Sequence, residues 1–94
     1  MNAEQVAAVL ARHGVPPDAS AMALLVELRA RGWAASVDTR AASTPSQARM
    51  AAVAWREVGT EVTGAARRLT FRATGRTEAD ALAKVVAKVL EREP

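Results

Sequence analysis

Four arginines, Arg40, Arg56, Arg68 and Arg72, fall in stretches where polar and apolar residues alternate, among alanines and threonines. A guanidinium group holds carboxylate or phosphate through paired, planar hydrogen bonds, so this set is chemistry for gripping an anion. Carriers of other chemistry are few. His13 is the only histidine and there is no cysteine, which removes thiolate zinc sites and cysteine nucleophiles. The ten acidic residues are scattered. Glu57 and Glu61 could meet across a turn, but nothing places a carboxylate pair over an apolar floor. Ser20, Ser36, Ser43 and Ser46 have His13 as their one candidate base, at a distant helix end. The inventory points away from catalysis, metals and cofactors, and toward binding.

Ninety-four residues form one domain, 1–94, with a single modest core. Twenty-three of them are alanine, which adds little buried area, so Val, Leu, Met, Phe71, Trp33 and Trp55 must supply the rest. The net charge is +3, with eleven Arg and two Lys. Absence of cysteine fits a cytoplasmic chain. No basic start precedes an apolar run, so a signal peptide is not expected. No apolar stretch approaches the ~20 residues that span a bilayer.

The elements that must position the arginines follow from caps and periodicity. Asn2 with Gln5 makes a capping box for a first helix, whose face is Val6, Val9 and Leu10 and which Gly14 ends. His13, beside Gly14, reads as a C-terminal cap. Asp18 is the expected cap of a second helix with Ala21, Leu24, Leu25 and Leu28 as its stripe and Gly32 as its stop. Residues 33–40 alternate as a strand, with Trp33, Ala35 and Val37 inward. Residues 49–57 carry two signals. Thr44-Pro45-Ser46-Gln47 and the alanines favour helix, whereas residues 33–40 and 67–73 each need an antiparallel neighbour, and two strands alone are marginal. Pairing favours strand, with Ala51, Val53 and Trp55 inward and Ala52, Ala54 and Arg56 outward. In 67–73, Leu69, Phe71 and Ala73 point inward. Thr77 caps a last helix, 78–92, with Leu82, Val85, Val86, Val89 and Leu90 as its stripe. The expected fold is α+β: an N-terminal two-helix hairpin, a three-stranded antiparallel sheet and a C-terminal helix packed on one face.

On this layout Arg40, Arg56, Arg68, Thr70 and Arg72 project from the outer sheet face around a floor of Ala52 and Ala54. They are the candidate partner-binding residues, and the implied partner is a protein with an acidic surface. Both tryptophans fall on the inner parity, so an exposed stacking aromatic is not expected. The turn Ala73–Thr77 is read as a corner rather than a phosphate site, because Thr77, Glu78 and Asp80 already answer the helix N-terminus. Lys84, Lys88 and Arg92 follow one solvated side of the last helix. Oligomeric state is left open, a homodimer included.

Three resemblances carry further expectations. LLVELRARGWAASVDTR (24–40) followed by FRATGRTEADALAKVVAKVLE (71–91) resembles small phage and prophage proteins of an ABA-sandwich fold, through Phe71, Ala73, Gly75, Thr77 and Ala81. This implies a short accessory protein of a mobile element, for which inhibition of a host defence complex is one form of action. The order of three strands, Gly-turn and helix is similar to double-stranded RNA-binding domains, with Glu78 and Asp80 where that family has lysines. RARGW and REVGTEVTGAARRLTFRATGR look loosely like the wing of winged-helix DNA-binding proteins. That alternative makes residues 45–56 a recognition helix, with Gln47, Arg49 and Arg56 toward the major groove and Arg67 and Arg68 on phosphate. Nucleic acid is therefore the second partner class.

Overall fold

The computed structural model describes residues 2–40, 49–59 and 66–92. Helix α1 (Ala3–Arg12) begins at Asn2, whose side chain accepts from the Gln5 N–H at 2.9 Å while the Gln5 side chain accepts from the Asn2 N–H at 2.8 Å. This reciprocal box satisfies two donors that a helix start leaves open. Helix α2 (Ala21–Ala30) is capped by Ser20, whose hydroxyl accepts from the Ala23 N–H at 3.2 Å, and not by Asp18. The Pro16 carbonyl accepts from the Ala19 N–H at 3.1 Å, and that turn keeps Asp18 outside the helix. Gly14 and Gly32 follow the two helices with φ of +76° and +86°, a left-handed conformation that favours a residue without a Cβ. Met22 and Val26 stand exposed one turn apart on α2.

Strands β1 (Ala34–Arg40), β2 (Arg49–Gly59) and β3 (Ala66–Gly75) form one antiparallel sheet in the order β1-β2-β3. The α+β layout expected from the sequence is present, and residues 49–57 are strand. Of the recognition helix expected over 45–56, residues 45–48 lie outside the described residues, and residues 49–56 are strand. The helix signals there are local and weak, whereas two flanking ladders satisfy the backbone of a central strand along both edges.

Helix α3 (Glu78–Arg92) holds the fold together. It contacts all three strands, α1 and α2, while α2 also touches β1. Being covered on more than one side, it buries Ala81 and Ala87 as well as the stripe of Leu82, Val85, Val86, Val89 and Leu90. Each buried Val or Leu side chain contributes about 1.5–3 kcal/mol relative to exposure. Thr77 caps it, the hydroxyl accepting from the Asp80 N–H at 3.0 Å.

Register decides the faces. Ala52 pairs with Val37 and Ala73, and Ala54 with Ala35 and Phe71. Ala52 and Ala54 are 1% and 0% exposed, so this is the face turned to the helices. The expected parity of β2 is thus inverted: Ala51, Val53 and Trp55 face outward, Ala52, Ala54 and Arg56 toward the helices. The reason is volume. Leu82, Val85, Val86 and Val89 already fill the layer beneath the sheet, and at close-packed density the central strand fits there only with small side chains. Among the described residues, nothing packs on the other face.

Candidate functional site on the open face of the sheet

The outer face is built in rows, because residues paired across antiparallel strands point the same way. One row is Asp38, Ala51 and Thr74; the next is Ser36, Val53 and Arg72; the next is Ala34, Trp55 and Thr70; and the last is Glu57 and Arg68. Neighbouring strands lie about 4.8 Å apart, so the three lanes place Trp55 within reach of Thr70 and the stem of Arg72. The floor is Ala51 and Val53, not Ala52 and Ala54. In the two rows before Trp55 lies an open depression of about 410 Å³ lined by Asp38, Ala51, Val53, Arg72 and Thr74 together with Ala52 and Ala73.

Charge on this face is sorted by strand. Arg68 and Arg72 rise from β3, and Asp38 from β1. Arg68 meets Glu57 at 3.6 Å with both side chains more than half exposed, a surface pair worth about 0–1 kcal/mol and easily exchanged for a better partner. Arg72 is exposed and makes no ion pair among the described residues.

The sequence-derived binding set divides. Arg68, Thr70 and Arg72 come together on the outer face. Arg56 does not join them. It lies on the helix side, its guanidinium carbon 5.2 Å from the Trp33 ring centroid, because β2 parity is opposite to that expected. Arg40 pairs with Arg49 at the far end of β1 and β2, and both side chains, with Gln47, lie outside the described residues. Arg67 and Arg68 are adjacent on one strand, so they point to opposite faces rather than forming one phosphate clamp.

Two features were missed. Trp55 is half-buried on the open face. No local signal marked it, because alanines alternating with larger residues suit either face of a strand. Lys84 and Lys88 are not merely solvated: their ammonium groups donate to the Thr74 and Arg72 carbonyls at 2.8 and 2.6 Å. Among the described residues no group of three His, Cys, Asp or Glu is placed to hold a metal ion, and no helix is long and apolar enough to cross a membrane. Comparison with family models, curated proteins and solved structures gave no match.

Proposed function

We propose that the chain is a non-enzymatic docking module that binds an acidic surface of another protein through the open face of its sheet. The observation that carries this reading is Trp55 standing on that face, one row from Arg72 and one from Arg68. Tryptophan and arginine are the residues most enriched among binding hot spots, where a large ring fills a pocket and the fork bonds a carboxylate. The strand-sorted charge adds specificity. A partner with carboxylates toward β3 and a donor toward Asp38 matches both sides at once. Such docking is how a short mobile-element protein, of the kind the sequence resembles, would act on a host defence complex in the cytoplasm.

Nucleic acid is the second reading. Trp55 offers one stacking surface, and the sequence pI is about 10.6. Against it, two carboxylates share the face with two guanidinium groups among the described residues, whereas a phosphate backbone calls for an excess of cations.

The test starts from a partner captured by the tagged protein and identified by mass spectrometry, then measured by calorimetry. Trp55→Ala and Arg72→Glu are expected to weaken binding by about 2 kcal/mol or more each, while Arg76→Glu, outside the face, leaves it unchanged. Binding insensitive to Trp55 and Arg72 overturns the reading. Oligonucleotide binding that falls steeply with salt favours nucleic acid.

A further inference from the structure

We propose that the open edge of β3 accepts an extended acidic segment of the partner as a fourth strand; this rests on the docking reading above and specifies how the partner engages. Among the described residues strand β3 pairs with β2 alone, so one side of its backbone has no strand partner there. Lys84 donates to the Thr74 carbonyl and Lys88 to the Arg72 carbonyl, which marks those carbonyls as turned to the open side. Residues two apart in a strand direct their N–H and C=O groups the same way. Arg68 and Thr70 therefore present theirs to the same edge, and no described side chain bonds to them there. The lysines guard the end of β3 near α3 and leave its other half open to strand addition.

The surroundings select the occupant. Residues 66–75 include Arg67, Arg68 and Arg72 and no acid. Arg68 and Arg72 flank the edge on the outer face, and Lys84 and Lys88 lie beside it on α3. On the helix side the edge carries Leu69 and Phe71, both half-buried and packed against the core. A strand laid here points alternate side chains to the two faces. Its acids meet Arg68 and Arg72, and its apolar residues extend the cover over Leu69 and Phe71. The recognised segment is one in which acidic and apolar residues alternate.

The probe is an acetylated, amidated octapeptide alternating Glu and Val, titrated into the isotope-labelled full chain, with a fully N-methylated version as control. The expected result is saturable shifts and slowed amide exchange at Arg68 and Thr70. Binding weakens about tenfold or more on full N-methylation, which removes every edge hydrogen bond the peptide donates, and about fivefold in Thr70→Pro, which removes the one donor of Thr70. Arg72→Glu weakens it further. If Thr70→Pro fails to fold, the N-methylated peptide carries the comparison. Equal binding of the methylated peptide, no binding at millimolar peptide, or equally tight binding of a single-stranded oligonucleotide at these amides overturns edge pairing. The docking reading is scored separately, by Trp55→Ala against the identified partner, so the two can fail independently.

Discussion

The Arg56 guanidinium lies over the Trp33 ring, 5.2 Å from its centroid, on the helix side of the sheet. Trp33 is 2% exposed and its ring sits 5.5 Å from that of Phe71 in a tilted arrangement. Arg56 thus sets its cation over the ring of a buried tryptophan that packs on Phe71, a cation–π contact on the helix side of the sheet.

Replacing Arg56 with Ala is therefore expected to cost about 1 kcal/mol of stability and to leave partner binding intact. Urea unfolding reads the first and calorimetry the second. Loss of binding without loss of stability would return Arg56 to the docking surface.

Gly75 closes the corner between β3 and α3. A Cβ there would stand 2.7 Å from the Asp80 Cβ and 2.8 Å from the Ala81 main-chain nitrogen. Gly75→Ala should destabilise by about 1–3 kcal/mol, the range for overpacking. Asp80→Ala should not rescue it, because the Cβ and the nitrogen both remain. A neutral Gly75→Ala by urea titration would mean that the corner opens easily.

The two parities of β2 make opposite predictions. Ala54→Leu, beneath the helices, should cost about 1–3 kcal/mol. Trp55→Ala, on the open face, should cost about 1 kcal/mol or less, the scale of cross-strand pair contacts. Chemical denaturation of the two variants measures the ordering, and a costlier Trp55→Ala contradicts the face assignment.

Lys84 and Lys88 shield carbonyls of an edge strand. Changing both to Ala frees those acceptors, and the variant is expected to self-associate more readily than the parent through edge pairing. Sedimentation velocity over a range of concentrations detects it. Unchanged monomer content at all concentrations would show that the edge needs no guard.

The candidate site was less legible than the fold. Caps at Asn2 and Thr77 and stops at Gly14 and Gly32 could be read from short-range chemistry, because each involves residues within about one turn. Ser20 displaced Asp18 through a single turn bond at Pro16, a choice that both caps allowed locally. Residues 49–57 could be assigned to strand only by asking what their neighbours needed for pairing.

What the chain determined by itself was the order of helices and strands and the poverty of reactive groups, since both are properties of residue type and local spacing. Which side of β2 faces the core was settled only in three dimensions. Alternating Ala with Val, Trp and Arg suits either face of an isolated strand. Large side chains look like core until a helix carrying its own valines and leucines occupies that space. Once α3 is in place, only the alanines fit under it, and Trp55 is turned to the open side while Arg56 is drawn onto Trp33.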